Sequence, residues 1–338
     1  MAKVWLTGGT GYIGSHTYVD LLEGGHTVFS TDDYSNSSPE VLENITAITG
    51  KEANNYEVDI CDLEALEAVI QSEGKIDAVI HFAAFKAVGE SVEQPLKYFK
   101  NNLVGLIHVL EMCKRYAISH MIYSSSCTVY GNPKELPVTE DTPILPAASP
   151  YGLTKQMGED IILSSLMDAG IGSVLLRYFN PAGAHESGKI GEDPRNAALN
   201  LVPVITETAI GKRKEMAVFG SDYPTRDGTC VRDYIHVSDL ARAHTLALEY
   251  ALEHVPSGSW DVFNLGVEQG VTVLEAIQAF ERVSGQKLNY KMGPRRPGDV
   301  VAIFADASKA RDRLGWVPLR DIREIMRTAW EWEKVRST

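Results

Sequence analysis

The chain has 338 residues, of which 44% are apolar and 23% are charged, enough for one large α/β domain and a smaller second one. Its 32 Lys and Arg against 45 Asp and Glu give a net charge of −13, which argues against nucleic acid or an anionic membrane as a partner. The four cysteines and nine histidines show no metal-site spacing, and no leader-like apolar stretch opens the chain. We therefore expect a cytoplasmic protein without a metal site.

The first half alternates short apolar runs with amphipathic stretches. The predicted strands are residues 3–7, 28–32, 56–59, 78–82, 121–125 and 173–179. The predicted helices are residues 13–23, 41–49, 63–71, 96–116 and 151–168. Strands that alternate with helices in this way predict a doubly wound parallel sheet of the Rossmann type.

After about residue 180 the alternation becomes irregular, and residues 181–194 are rich in Gly, Pro and His. Residues 262–265 are predicted to return to the main sheet as a late strand. We predict a Rossmann domain from residues 1–180 with parts of 231–265. A smaller C-terminal α/β lobe for the substrate is predicted from residues 181–230 and 266–338. No flexible linker separates the two, so we expect them to be tightly packed.

A glycine loop, TGGTGYIG at residues 7–14, follows the first predicted strand and opens the first helix. Gly8 permits a tight turn, Gly11 lets a pyrophosphate approach the backbone, and Gly14 lets the helix pack on the sheet. The N–H groups and the helix dipole can then hold the phosphates. A glycine triplet alone is a weak motif, but this position favours a dinucleotide site over a plain turn.

A carboxylate ends the second predicted strand. Asp32 stands 18 residues after Gly14 (32 − 14), where it can accept hydrogen bonds from the adenosine ribose hydroxyls. Because Asp33 follows and residues 4–50 contain no Lys or Arg, a 2′-phosphate would be repelled, so NAD is favoured over NADP. A turn-capping role suits Asp33 better than Asp32. For Asp59 a capping role and an adenine contact are equally open.

Tyr151 and Lys155 begin a predicted helix and, four residues apart, share one face of it. A free tyrosine has a pKa of about 10, so a base near neutrality needs that pKa lowered by about 3 units, or roughly 4 kcal/mol. A neighbouring ammonium and a positive nicotinamide ring can supply this shift. The spacing alone also occurs by chance on surface helices. A second feature supports a catalytic role for the pair. Ser126, the last of three serines at the end of the fifth predicted strand, can hydrogen-bond the substrate hydroxyl or Tyr151. The other two serines are expected to bond to the backbone.

Together these features resemble the extended short-chain dehydrogenase/reductase family. Within it, residues 3–316 are similar to the UDP-galactose 4-epimerase family. The strings that carry the resemblance are GYIGSH (11–16), IHF (80–82), KAVGES (86–91), TVYG (128–131), LRYFNP (176–181), GAH (183–185) and VRDYIHV (231–237). The resemblance implies inversion of sugar carbon 4 between UDP-glucose and UDP-galactose through a 4-keto sugar, with NAD retained throughout.

The resemblance also implies residue roles. Tyr151 would be the acid/base, Lys155 its partner on the nicotinamide ribose, and Ser126 the residue that orients the hydroxyl. The predicted NAD contacts, which include the three loop glycines, are Gly8, Gly11, Tyr12, Ile13, Gly14, Asp32, Asn36, Asp59, Ile60, Phe82, Ala83, Lys86, Asn101, Tyr151, Lys155 and Phe179. The implied UDP-sugar contacts are Lys86, Ser126, Tyr151, Asn180, Asn200, Ala217, Phe219, Arg232, Arg296, Asp299 and Ile303.

The chemistry of the implied substrate residues agrees with these roles. Arg232 and Arg296 can grip a diphosphate bidentately, although without the resemblance they would be read as ordinary surface charges. Asp299 can accept from the uridine ribose, and Phe219 can stack on the uracil. Ile303 is intermediate between the bulky aromatic residues of forms restricted to plain hexoses and the small residues of forms that accept N-acetylhexosamines, so the substrate range stays open.

Three rival functions are weaker. A nucleotide-sugar 4,6-dehydratase shares the fold, but its family has an Asp-Glu pair where this chain has Cys127 and Thr128. A sugar dehydrogenase would release NADH, and a redox-sensing NAD regulator would not need the serine, tyrosine and lysine together. The resemblance further implies a homodimer through residues 96–116 and 151–168, although their pattern does not distinguish an interface from a core. Residues 321–338 are predicted to form an amphipathic helix without chemistry.

Overall fold

The computed structural model describes residues 1–193, 198–296 and 300–337. Within these ranges the strands are β1 (Lys3–Thr7), β2 (Thr27–Thr31), β3 (Asn55–Tyr56), β4 (Ala78–His81), β5 (His120–Ser126), β6 (Gly172–Tyr178), β7 (Asn180–Ala182), β8 (Met216–Phe219), β9 (Val231–His236), β10 (Trp260–Leu265), β11 (Gly270–Thr272), β12 (Tyr290–Gly293) and β13 (Ala302–Ile303). The α-helices there are α1 (Tyr12–Glu23), α2 (Glu40–Thr49), α3 (Leu63–Glu73), α4 (Val88–Glu93), α5 (Pro95–Phe99), α6 (Gly105–Tyr116), α7 (Pro150–Ala169), α8 (Leu201–Ala209), α9 (Val237–His254), α10 (Val273–Ser284), α11 (Ser308–Leu314) and α12 (Ile322–Arg336).

The main sheet has seven strands in the order β10-β6-β5-β4-β1-β2-β3, and every neighbouring pair is parallel. The predicted doubly wound parallel sheet is therefore confirmed, as is the late strand, since β10 pairs with β6 along its whole length. The strand order reverses between β1 and β4. Such a reversal opens a crevice at the carboxyl ends of the strands, where α/β proteins bind their ligands.

The main sheet is covered on both faces. In β1, Val4 and Leu6 belong to one apolar cluster and Trp5 to the other, because successive side chains of a strand point to opposite faces. All four residues of β4 are buried, as expected for a central parallel strand. The core on the first face also includes residues of α9 and, from the segment predicted as substrate lobe, Ala310 and Trp316.

A second core lies between a smaller sheet and three helices. The smaller sheet joins β9 to β7, β11 and β13, and a two-strand sheet pairs β8 with β12. Side chains of α8, α10 and α12 meet there, among them Ile205, Phe280 and Met326. This core corresponds to much of the predicted substrate lobe. The exact division of the chain into two lobes stays a prediction.

The helix predicted over residues 96–116 is confirmed as a helical stretch over residues 95–116, but it contains a π-helical turn. Pro95 starts α5, a π-helical turn (Lys100–Val104) follows, and α6 begins only at Gly105. A π turn widens the backbone locally and often marks a functional site. The other first-half helices begin and end within about two residues of their predicted bounds. Among the described residues, no helix is both long and apolar enough to cross a membrane.

Candidate active site

The glycine loop lies at the crevice between β1 and β4. Gly8 has φ +71°, and a Cβ there would lie 2.8 Å from the backbone nitrogen of Ala83, so the loop and the segment after β4 approach closely. A Cβ at Gly14 would lie 2.2 Å from the Gly8 carbonyl oxygen. Gly11 is the N-cap residue of α1, and no side chain of the described residues caps that helix end. Backbone N–H groups are therefore available to an anion, as a dinucleotide pyrophosphate requires.

Asp32 lies directly after β2, one residue beyond the strand end. Its carboxylate accepts hydrogen bonds from the backbone N–H of Thr10 at 3.2 Å, the backbone N–H of Tyr34 at 3.0 Å and the hydroxyl of Ser37 at 3.1 Å. Burial raises the pKa of Asp32, and these hydrogen bonds lower it. Asp32 thus orders its own turn and also faces the glycine loop, while Asp33 caps only its turn by accepting from Ser35.

Asp59 accepts a hydrogen bond from the backbone N–H of Cys61 at 2.8 Å, whereas Asp62 is the residue that caps α3. The turn-capping role of Asp59 is therefore present, and the adenine contact stays a prediction. Ile60 beside it is buried against Gly105 so closely that a Cβ on that glycine would lie 2.2 Å from the isoleucine Cδ1 atom.

The remaining predicted cofactor residues surround the same crevice. Phe82 and Ala83 follow β4, and the Phe82 ring packs 4.7 Å from the ring of His244 on α9. Asn101 lies on the π turn and donates to Asn102 at 3.0 Å. Of the other predicted cofactor residues, Tyr12 and Ile13 lie in the first turn of α1. Asn36 is exposed after β2, Lys86 is exposed after β4, and Phe179 is buried after β6.

Tyr151 and Ser126 meet at the carboxyl edge of the main sheet. Ser126 is the last residue of β5; its hydroxyl accepts from the backbone N–H of Thr128 at 3.2 Å and lies near enough to Tyr151 to lower the pKa of that phenol. Tyr151 lies in the first turn of α7, which Pro150 opens and Ser149 caps by accepting from Gly152 at 3.1 Å. The chain thus brings together the predicted acid/base and the predicted hydroxyl-orienting serine.

Lys155 lies one turn further along α7 and is buried. Its ammonium donates to the Ser124 carbonyl at 2.6 Å and lies 4.9 Å from the centre of the Tyr123 ring. Burial lowers the pKa of Lys155 to about 8, and the negative charge of Glu159 raises it. The lysine is therefore fixed beside the tyrosine and remains largely cationic near neutral pH.

The protein's own groups raise the pKa of Tyr151, opposite to the expected direction. Burial has the largest effect, the neighbouring Tyr178 adds to it, and the hydrogen bond from Ser126 lowers it. The physical reason is that the hydroxyl is enclosed, while the Lys155 ammonium is directed at the carbonyl of Ser124. A positive charge on a bound molecule would oppose this rise in the pKa of Tyr151.

The expectation for the other two serines is wrong. The Ser124 hydroxyl bonds the Tyr178 hydroxyl, and the Ser125 hydroxyl donates to the Glu159 carboxylate. Glu159 in turn binds Arg177, so the serine run is tied by side chains to α7 and β6. The sequence held a signal for this arrangement, because Arg177 interrupts an apolar strand and a buried charge requires a partner.

The predicted substrate residues of the smaller sheet are neighbours. β9 pairs with β13 so that Arg232 stands opposite Ile303, and it pairs with β7 so that Asn180 stands opposite Tyr234. Arg232 also donates to the Val300 carbonyl at 2.7 Å. Ile303 is buried in one apolar cluster with Cys127 and Phe179, which places it on the wall beside the Ser126–Tyr151 pair.

Two buried polar atoms of this part of the chain have no protein hydrogen-bond partner among the described residues: the Asn180 amide oxygen on β7 and the hydroxyl of Thr128, two residues after Ser126. Buried polar groups normally have hydrogen-bond partners, so these two atoms could accommodate a polar ligand. A second group lies further out, where Ala217 and the exposed Phe219 lie on β8 and the Arg296 guanidinium lies 5.8 Å from the Phe219 ring. Asp299 lies outside the described residues.

Sequence reasoning missed Glu192. One of its carboxylate oxygens accepts from Lys86 Nζ at 3.2 Å and from the Asn200 amide at 2.7 Å, which joins two predicted contact residues from opposite sides of the cleft. The Glu192 backbone carbonyl accepts from the Trp332 indole at 3.0 Å. The final helix, predicted to carry no chemistry, thus fixes the segment beside the predicted sugar site. No spacing in the sequence connects residue 332 with residue 192.

Comparison with known proteins places this geometry in a family. The family model described as GDP-mannose 4,6 dehydratase matches residues 6–329. UDP-glucose 4-epimerase of Bacillus subtilis is 49% identical over 331 residues, 98% of this chain and 96% of the relative. UDP-glucose 4-epimerase 2 of Arabidopsis thaliana is 48% identical over 98% of this chain and 95% of the relative.

Solved structures agree. UDP-glucose 4-epimerase from Bifidobacterium longum in complex with NAD+ and UDP has a TM-score of 0.92 and 44% identity, over 99% of both chains. The enzyme from Stenotrophomonas maltophila with bound NAD and formylated UDP-arabinopyranose has a TM-score of 0.95 and 44% identity, over 100% of this chain and 99% of that one. The chain therefore belongs to the UDP-glucose 4-epimerases of the extended short-chain dehydrogenase/reductase family.

Proposed function

We propose that the chain is an NAD-dependent isomerase that interconverts UDP-glucose and UDP-galactose by inverting sugar carbon 4. The observation that carries the proposal is that Ser126 ends β5 at the carboxyl edge of the main sheet, while Tyr151 and Lys155 lie in the first turns of α7. The test supplies UDP-glucose to the purified protein without added cofactor. Formation of UDP-galactose supports the proposal, and its absence from protein that carries NAD overturns it.

The cofactor pocket fits NAD. The glycine loop has the close approaches that a pyrophosphate site needs, and Asp32 offers a carboxylate to the adenosine ribose hydroxyls. A 2′-phosphate at that place would face the charge of Asp32 and Asp33. When bound, NAD accepts the hydride of sugar carbon 4 and returns it. Heat or acid release of the bound dinucleotide, followed by its identification, tests the pocket directly.

Tyr151 exchanges the proton of the sugar 4-hydroxyl. In this proposal Ser126 bonds that hydroxyl or the Tyr151 oxygen, and Lys155, one turn along α7 from Tyr151, supplies positive charge. Burial raises the pKa of Tyr151, and a bound cationic nicotinamide beside Lys155 would supply positive charge that favours the phenolate. Tyr151→Phe is expected to lower the rate by roughly 100-fold or more while NAD stays bound, and unchanged turnover would contradict the role.

The 4-keto sugar must rotate to present its other face between the two hydride transfers, so the nucleotide must be held firmly while the hexose is not. Arg232 and Arg296 grip the diphosphate, and Phe219 packs on the uracil. Asn180 offers its amide oxygen, and Ile303 walls the hexose pocket. Rates on UDP-N-acetylglucosamine and UDP-glucose decide whether isoleucine at this place admits the larger sugar.

Loss of water as in a 4,6-dehydratase is the rival, since the matching family model carries that description. Dehydratases of this family share an Asp-Glu pair at the positions that correspond to Cys127 and Thr128. Burial raises the pKa of Cys127 to about 12, so its thiol stays neutral, and Thr128 has no acidic group. This chain therefore lacks at those positions the acid and base of an elimination, and the epimerase function is favoured.

We also propose a homodimer. Large apolar side chains are exposed along α4, α5, α6 and α7, including Val92, Leu96, Ile107 and Met157. Exposed large apolar side chains on four neighbouring helices are consistent with an interaction surface. Leu96→Glu is expected to reduce the mass measured by light scattering to that of one chain, and Leu319→Glu, equally exposed elsewhere, should not. A wild-type protein that already runs at the mass of one chain would refute the dimer.

The proposed location is the cytoplasm. All four cysteines are free thiols, and three of them are buried. Reduced thiols are typical of proteins in a reducing compartment. Cell fractionation with antibodies to the chain tests the location.

A further inference from the structure

One carboxylate joins the two sides of the cleft. A single oxygen of Glu192 accepts from the Lys86 ammonium at 3.2 Å and from the Asn200 side-chain amide at 2.7 Å. Lys86 follows β4 of the main sheet, whereas Asn200 is the N-cap residue of α8. The Glu192 side chain is 12% exposed, while Lys86 and Asn200 are both exposed. The acceptor is therefore enclosed, and both donors remain open to a ligand.

The Asn200 side chain does not serve its own helix. An asparagine at an N-cap normally accepts from a backbone N–H of the first helical turn. Among the described residues, the Asn200 side chain makes no such bond to α8, and its amide donates to Glu192 instead. This orientation gives up a helix cap, which indicates that the amide serves the cleft.

The backbone of Glu192 is held in place from behind. The Trp332 indole donates to the Glu192 carbonyl at 3.0 Å. A Cβ on Gly191 would lie 2.6 Å from carbon atoms of the Trp332 ring, so the chain at that residue rests on the indole. On the cofactor side, the Lys86 ammonium lies 5.5 Å from the centre of the Tyr12 ring, and the Tyr12 hydroxyl donates to the carbonyl of Gly183 at 2.6 Å. The carboxylate is therefore preset in the cleft.

Glu192 leaves both donors able to bind a ligand. An ammonium has three N–H groups, and a carboxamide has two N–H groups and an oxygen, so Lys86 and Asn200 each keep hydrogen-bonding capacity. The charges of Lys86 and Glu192 cancel, so the group has no net charge to attract an anion. It suits neutral hydroxyls, such as those of a hexose, whereas Arg232 and Arg296 suit the diphosphate. Bonds to neutral hydroxyls are weaker than bonds to phosphate, so the sugar can still rotate.

We propose that Glu192 is a positioning residue that orients Lys86 and Asn200 toward the hexose hydroxyls of the UDP-sugar. The inference rests on the proposed function. Because the carboxylate fixes both donors before the substrate arrives, binding does not have to order two flexible side chains. A purely structural ion pair would affect the stability of the protein and leave recognition of the sugar unchanged.

The test compares KM for UDP-glucose with the inhibition constant of UDP, which lacks the hexose. Glu192→Gln keeps the shape of the side chain and removes its charge. We expect KM to rise about tenfold, on the scale of one hydrogen bond to a charged group. The inhibition constant of UDP, kcat, NAD content and the urea midpoint should stay near their wild-type values. Asp193→Asn is the matched control, because the adjacent carboxylate pairs with Arg336 of α12 at 2.7 Å and should not affect KM.

Two further variants keep the test decisive. Glu192→Asp keeps the charge but is too short to reach both donors, so it should show the same rise in KM without a change for UDP. Glu192→Gln combined with Asn200→Ala should raise KM by less than the product of the two single increases, because residues in contact are coupled.

Four results would overturn the inference: an unchanged or lowered KM in the Glu192 variants, an equal rise in Asp193→Asn, an equal rise in the inhibition constant of UDP, or single effects that multiply fully in the double variant. Failure of the proposed function would be seen separately, as wild-type protein that carries NAD and forms no UDP-galactose.

Discussion

Replacing Gly14 by alanine should damage the cofactor loop in a predictable way. The added Cβ would lie 2.2 Å from the Gly8 carbonyl oxygen, about 1.2 Å closer than the 3.4 Å at which ordinary contact begins. It would also lie 2.9 Å from the Gly9 Cα atom. Both neighbours are backbone, so no side chain can rotate away and the loop itself must shift by about 1 Å. Overpacking of this kind costs about 1–3 kcal/mol.

Two measurements check this prediction: the free energy of unfolding in urea and the molar NAD content of the purified protein. Gly14→Ala is expected to lose about 1–3 kcal/mol of stability and most of its NAD, because the displaced N–H groups no longer match the pyrophosphate. Gly89→Ala is the matched control, since its Cβ meets nothing within 4 Å. Full NAD content and wild-type stability in Gly14→Ala would refute the packing argument.

Two further predictions follow from buried contacts. Trp332→Ala removes the hydrogen bond from the indole to the Glu192 carbonyl. We expect KM for UDP-glucose to rise about tenfold, or roughly 1.4 kcal/mol, with kcat and NAD content unchanged. The control Trp330→Ala, which removes a side chain from the second core, should leave KM unaltered. Three buried histidines have pKa values lowered to about 3–4, so the unfolded chain binds their protons first and stability falls as pH drops below about 6.5, by up to about 4 kcal/mol at pH 5.5. These histidines are His16, His81 and His244. A urea midpoint independent of pH between 7.5 and 5.5 would contradict the second prediction.

The sequence predicted the parts of the fold that depend on local pattern. Apolar runs gave the main strands because a strand buried on both faces cannot hide polar residues, and the glycine loop was recognisable from its place between a strand and a helix. The π turn at residues 100–104 could not be foreseen, because a helical sequence pattern does not distinguish a π turn from a regular α-helical turn. Backbone hydrogen bonding, and not composition, decides that turn.

The candidate site could be predicted only in part from the sequence, for a different reason. Ser126, Tyr151 and Lys155 lie within 30 residues of one another, and their types carry the chemistry. Glu192 and Trp332 are 140 residues apart and meet only because α12 folds back beside the cleft. Likewise, the raised pKa of Tyr151 comes from burial, which depends on the whole fold. Contacts between residues so far apart in the sequence produce no recognisable motif spacing.

The pairing of Arg232 with Ile303 has a consequence for how this enzyme type can diversify. The two residues stand opposite each other on adjacent strands, and the backbone ladder fixes the distance between them. In the proposed function, Arg232 binds the phosphates and Ile303 walls the sugar pocket. A change of side-chain size at residue 303 therefore alters the room for the sugar without moving the nucleotide anchor. New sugar preferences can be acquired by single replacements on a scaffold that keeps its hold on the diphosphate.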